Sequence, residues 1–264
     1  MTSTAVIQTL EQPVEITGEV KRQTTYSLMN ITSVFYAYCE EVLSFLEQEQ
    51  VRIPEKRIQH MKQTVANSIL YDVDNNCEYV ELRDNAGTAH GAIRVKNLSQ
   101  VIDCPPVFVQ QELREIAPVV VLYRGKKGIS RWTFIHEICH LLSIGPYVKQ
   151  PNMQWIHHFG ILCYRYRETE QKLGRISMNG HVGINELLND YIVWRIMEST
   201  DASVKAPYHG LEIFRTYIDS CCCRTDIQSL IGSYFSGEVK QVEEYLLNKR
   251  YASFSELYEG LTPS

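Results

Sequence analysis

The segment Trp132-Thr133-Phe134-Ile135-His136-Glu137-Ile138-Cys139-His140-Leu141-Leu142 sets two histidines four positions apart, with a glutamate directly after the first. On an α-helix, positions four apart share one face, so His136 and His140 can offer two imidazoles to one cation. Glu137 is rotated from His136 by about 100° on such a helix, near enough to reach a water at that cation without ligating it. Nearly every other position from Phe134 to Leu142 is apolar. A helix with such flanks is buried on most sides, and burying imidazoles and a carboxylate without partners costs several kcal/mol. A divalent cation supplies charge and coordination together.

Hydrolytic zinc takes three protein ligands and keeps a fourth position open. An extended H-E-x-x-H-x-x-G-x-x-H pattern would put the third histidine at position 146, which is Pro146. The run Gly183-Ile184-Asn185-Glu186-Leu187-Leu188-Asn189-Asp190-Tyr191 instead carries two acids four positions apart among apolar neighbours. Two carboxylates on one turn repel each other unless something positive sits nearby. Glu186 is therefore the candidate third ligand. Asp190 is the candidate acceptor for the second N–H of a liganding imidazole.

The pairing of H-E-x-x-H with a distal E-x-x-x-D resembles the gluzincin group of zinc peptidases. The resemblance covers His136–His140 and Glu186–Asp190, with the 45 residues 141–185 between them. That gap is longer than in thermolysin-like enzymes and closer to anthrax-lethal-factor-like peptidases. The Gly-x-Asn-Glu run is also similar to a helix of bacterial relatives that continue with a tyrosine and several helices, as Pro207-Tyr208 does here. The resemblance implies a zincin-like fold, one zinc ion held by His136, His140 and Glu186, Glu137 as general base and Asp190 as support. It implies a peptide or protein substrate. Lethal-factor-like enzymes carry a catalytic tyrosine seven residues before the ligand glutamate, where this chain has Asn179. The oxyanion donor is then sought at His181 or Tyr208, with His157, His158, Tyr147 and Tyr164 as weaker options.

These groups need elements to hold them. From Ile31 to Gln50 the spacing of Val34, Phe35, Tyr38, Val42, Phe45 and Leu46 predicts a helix, and Pro54 opens a second one running to about Leu70. Tyr79–Leu82, the Asp84–Gly87 turn and Ala92–Val95 read as a β-hairpin, and Val119–Tyr123 as a buried strand closed by Gly125 and Gly128. A helix over Ser130–Ser143, extended chain within 155–167, a long helix over Ile184–Glu198 and further helices beyond Pro207 complete the order. Segregated strands and helices predict an α+β class: a small mixed sheet on the H-E-x-x-H helix, with a mainly helical C-terminal lobe. Residues 1–75 form an N-terminal helical segment, scaffold or cover, and residues 76–264 the zincin-like catalytic domain. Val119–Tyr123 or Ala92–Val95 is the candidate edge strand for an extended substrate.

The chain of 264 residues is 44% apolar and 22% charged, the composition of a globule with a real core. A net charge of −5 argues against nucleic acid or an anionic membrane as partner. The first residues lack a basic start followed by an apolar core, and no stretch reaches the roughly 18 apolar residues of a membrane span. A cytoplasmic location is expected. Eight scattered cysteines suit a reducing compartment, and the Cys221–Cys223 run reads as helix-end packing. The alternative to a peptidase is a zinc-stabilised binding or regulatory protein on the same fold, in which Glu137 would have no use. Incidental histidines on an interaction protein, or a metal hydrolase with non-peptide substrates, are the other readings.

Overall fold

A computed structural model describes residues 25–66, 69–73, 87–90, 119–123, 131–146, 148–150, 154–168, 173–201, 203–247 and 251–261. Two helices, α1 (Thr25–Gln48) and α2 (Glu55–Ala66), precede the strands β1 (Ile69–Val73), β2 (Gly87–His90) and β3 (Val119–Tyr123). The helix α3 (Arg131–Ser143) follows, then β4 (Val148–Lys149), β5 (Gln154–Phe159), β6 (Leu162–Glu168) and β7 (Leu173–Asn179). The chain ends in α4 (Val182–Thr200), α5 (His209–Cys221), α6 (Arg224–Ser236), α7 (Val239–Leu247) and α8 (Phe254–Leu261). The class is mixed and mostly helical, with two small sheets. Among the described residues no helix is long and apolar enough to cross a membrane.

The first sheet has the order β1-β3-β2, with β3 parallel to β1 and antiparallel to β2. The second helix stops at Ala66 rather than about Leu70, because Ile69–Val73 leaves it to pair with Val119–Tyr123. Val119–Tyr123 is no edge: its backbone is bonded on both sides, so it has no face left for a substrate strand. Of the expected hairpin only Gly87–His90 is described; Tyr79–Leu82 and Ala92–Val95 lie outside the described residues. The second sheet is an antiparallel meander, β4-β5-β6-β7. Its last strand, Leu173–Asn179, went unread in the sequence because Leu-Gly-Arg-Ile-Ser-Met-Asn alternates poorly.

The core gathers around α3 and α4. Ile135, Ile138, Leu141 and Leu142 of α3 are fully buried, as are Ile184, Leu188, Tyr191 and Ile192 of α4. Phe35 and Val42 of α1, Met61 of α2, and Tyr234 and Phe235 of α6 join the same cluster. The helix α4 is buried nearly all round, so its polar residues Asn185, Asn189 and Asp190 lie inside with the apolar ones. Burial of such groups is tolerated only where hydrogen bonds replace water. The Cys221–Cys223 run spans a helix junction: Cys221 ends α5, Cys222 is its buried cap and Cys223 is the cap before α6.

One buried cation ties the N-terminal helices to this core. The Arg57 guanidinium donates to the backbone carbonyls of Leu142 at 2.6 Å, Ile144 at 2.7 Å and Phe235 at 2.5 Å. These carbonyls belong to the C-terminal ends of α3 and α6, where helices leave acceptors unsatisfied and favour positive charge. Burial lowers the Arg57 pKa to about 10, so the group stays charged at neutral pH. Arg57→Leu strands three buried carbonyls, and a loss on the order of 3 kcal/mol is expected in urea unfolding. Arg57→Lys, which lacks the fork, should recover only part of it. A loss below about 1 kcal/mol for the leucine variant would show that these bonds do not hold the helix ends.

Candidate metal centre

The helices α3 and α4 pack so that the two motifs meet. His140 Nε2 lies 3.1 Å from His136 Nε2 and 3.1 Å from Glu186 Oε2. His136 Nε2 lies 3.5 Å from the same Glu186 oxygen. The imidazole rings stand nearly perpendicular, 83° apart with centroids 4.6 Å apart, and His140 stacks on Phe159 at 5.1 Å. Among the described residues, His136, His140 and Glu186 are the one group whose ligand atoms converge closely enough to hold a metal ion.

The spacing itself tests the fit. With metal–ligand bonds of about 2.05 Å, the edges of a tetrahedron are about 3.3 Å long, whereas those of an octahedron are about 2.9 Å. The observed edges of 3.1, 3.1 and 3.5 Å bracket the tetrahedral value. Two nitrogen atoms and one carboxylate oxygen are also a donor set that first-row divalent ions accept. The residues present therefore fit a metal ion.

His136 is held from behind. His136 Nδ1 lies 2.7 Å from Asp190 Oδ1, and a carboxylate can only accept there, so Nδ1 carries the hydrogen and Nε2 is left for the cation. Tyr208, the residue before α5, donates its hydroxyl to the other Asp190 oxygen at 2.5 Å. Asn189 donates its amide to the backbone carbonyl of His136 at 3.1 Å, which binds α4 to α3 at the ligand itself. Asn185, the asparagine of the Gly-x-Asn-Glu run, accepts from the backbone N–H of Ile161 at 3.0 Å. It thereby pins the turn between β5 and β6. Gly160 occupies that turn with φ +57°, and an added Cβ would lie 2.3 Å from Asn185 Oδ1. A side chain there would push away the anchor that sets Phe159 against His140.

Charge follows the same pattern. Burial alone would depress the His136 pKa, but hydrogen bonds to Asp190 and Glu186 and the negative charge of Glu137 raise it to about 10. Burial would raise that of Glu186. The two imidazoles beside it, His140 and His136, hold it far below the usual carboxylate range instead. Without a cation, a proton fills the gap between these groups.

The predicted residues fall into two sets. His136, His140, Glu186 and Asp190 come together, and Glu137 lies buried beside His136, close enough for its charge to act on that ring. Tyr208 joins them through Asp190. His181 sits at the start of α4, where its Nδ1 accepts from the Ile184 N–H at 3.2 Å and its ring meets Tyr258 at 5.0 Å. Of the weaker options, His157 is fully buried and Tyr164 nearly so, too deep to meet a substrate, and Tyr147 lies outside the described residues. Sequence reasoning missed Asn185, Asn189, Phe159 and Tyr234. The two asparagines had a signal, since polar residues on an otherwise apolar helix need buried partners. Tyr234 had none, being 94 positions from its histidine.

No known family model matches this chain, and no curated protein or solved structure matches it either. Its function is read from this geometry.

A cation entering the site must displace the proton that His136 otherwise holds. At pH 7.5, calorimetry in buffers of different ionisation enthalpy should show about one proton released per ion, with affinity rising about tenfold per pH unit in that range. Binding with no proton release would contradict the raised His136 pKa.

Proposed function

We propose that this protein is a zinc-dependent peptidase of zincin-like fold with a gluzincin ligand set. One observation carries the reading: two imidazole nitrogens and a carboxylate oxygen converge at 3.1 to 3.5 Å from one another, and a buried glutamate sits beside them. Two nitrogen donors beside one carboxylate oxygen favour zinc over the oxygen-preferring ions. A sheet against α3 and a later helix bringing the third ligand support the zincin-like reading. In the described sheet β2 is an edge strand and packs on α3, which supports it, in place of β3, as the strand that pairs with an extended peptide.

When bound, zinc supplies the Lewis acid that polarises a carbonyl and acidifies a water molecule. The chain's own residues do the rest. The Glu137 carboxylate accepts a proton as water oxygen bonds to the peptide carbon, then gives it to the amine nitrogen as the C–N bond breaks. Asp190 holds the Nδ1–H of His136. Tyr208 spends its one hydroxyl hydrogen on Asp190 and so supports that carboxylate; His181, whose Nδ1 accepts at the start of α4, keeps its Nε2–H as the donor for an oxyanion.

A buried base also separates a peptidase from a zinc-stabilised binding protein, which needs no such group. Glu137→Gln should keep zinc at full occupancy and lower turnover at least 100-fold, read by mass spectrometry on a peptide library. Chelation should abolish wild-type cleavage and zinc restore it. Undiminished cleavage by the glutamine variant would remove Glu137 as the base. A zinc-loaded wild type that cleaves no peptide in the library would favour the binding protein.

A further inference from the structure

We infer that Tyr234 is a positioning residue of the metal centre: through Asn189 it locks His140 in the Nδ1–H tautomer and turns the bare Nε2 toward the cation. The inference rests on the metal-site reading above and adds a residue that no motif marks.

The hydrogen positions follow from one atom that has no choice. The backbone carbonyl of His136 can only accept, so the Asn189 atom 3.1 Å from it is the amide nitrogen. The other end of that side chain, Oδ1, faces the Tyr234 hydroxyl at 2.9 Å and must accept its hydrogen. The phenol oxygen then has only lone pairs to offer His140 Nδ1, which lies 3.3 Å away. His140 Nδ1 must therefore carry the hydrogen. In the neutral ring Nε2 then has none, and that atom faces Glu186 and His136. Ser143, the phenol's other polar neighbour, does not disturb the order, because its hydroxyl donates to the His140 carbonyl at 2.7 Å.

The chain of bonds lies in the core. Tyr234 and Asn189 are fully buried and His140 nearly so, so bulk water cannot substitute for a missing partner. The ring is clamped in place. Phe235 packs edge-on at 5.3 Å, and a Cβ at Gly160 would come within 2.6 Å of the ring. The two histidines are thus supported differently, His136 by a carboxylate and His140 by a neutral phenol. The neutral partner orients His140 without adding a further negative charge to a site that already holds Glu137, Glu186 and Asp190.

The test uses the full chain with His-selective ¹⁵N labelling and two readouts. Long-range imidazole NMR on the metal-free protein reports the tautomer of His140, and competition with a chelator reports zinc affinity. Wild type should show the Nδ1–H form. Tyr234→Phe should give a mixture of tautomers and bind zinc about 10- to 100-fold more weakly, with the fold checked by circular dichroism. Asn189→Ala frees the Tyr234 hydroxyl to donate to His140 and should shift that ring toward the Nε2–H form. It keeps the inference testable if the phenylalanine variant does not fold. An Nε2–H tautomer in wild type overturns the inference. So does a folded Tyr234→Phe variant with wild-type tautomer and zinc affinity. A wild type that shows the Nδ1–H form yet takes up no zinc overturns the metal centre, and the aiming role with it; the tautomer tells that failure from the other two.

Discussion

Three electron-pair donors held 3.1 to 3.5 Å apart, inside a tightly packed pair of helices, repel one another unless a proton or a metal ion lies between them. Most of the surrounding polar structure serves to hold that arrangement. Asp190 and Tyr234 occupy the far nitrogens of the two imidazoles, so neither ring can turn its lone pair away. Asn189 sits between the two supports, bonded to Tyr234 on one side and to the His136 backbone on the other. Each buried polar residue on the first two turns of α4 is accounted for by a ligand, a ligand's partner or the turn that carries Phe159.

The scaffold applies the same logic at a larger scale. The third candidate ligand comes from a helix that starts after an antiparallel meander, so the intervening chain must return α4 to α3 within ångströms. The β5–β6 turn does part of this, locked by Asn185 against Gly160 and Ile161. Arg57 does another part from the far side, gathering the frayed ends of α3 and α6 around one guanidinium. The helix α6 then supplies Tyr234, which links that clamp to the His140 side of the site.

Local chemistry made the centre legible in the sequence. His136, His140 and Glu137 are spaced by one helical turn, and Glu186 and Asp190 by another, so their mutual placement needed only helix geometry. The long helices were legible for the same reason. What failed was non-local. Val119–Tyr123 reads as a strand but not as a central one, since that depends on partners about 50 and 30 positions away. Only the first residues of the Ile69–Val73 strand, Ile69 and Leu70, read as the end of the preceding helix, because apolar residues there fit either period. Tyr234 could not be found at all, since its role exists only once α6 lies against α3.

The most direct measurement is zinc-edge X-ray absorption on the purified protein, alongside its metal content. One zinc per chain is expected, with nitrogen and oxygen scatterers at about 2.0–2.1 Å, the outer-shell pattern of two imidazoles and no sulfur. Replacing Glu186 by alanine should remove one of the light-atom ligands or the metal itself. A protein that takes up no stoichiometric metal, or holds it through sulfur at about 2.3 Å, would contradict a His136–His140–Glu186 centre.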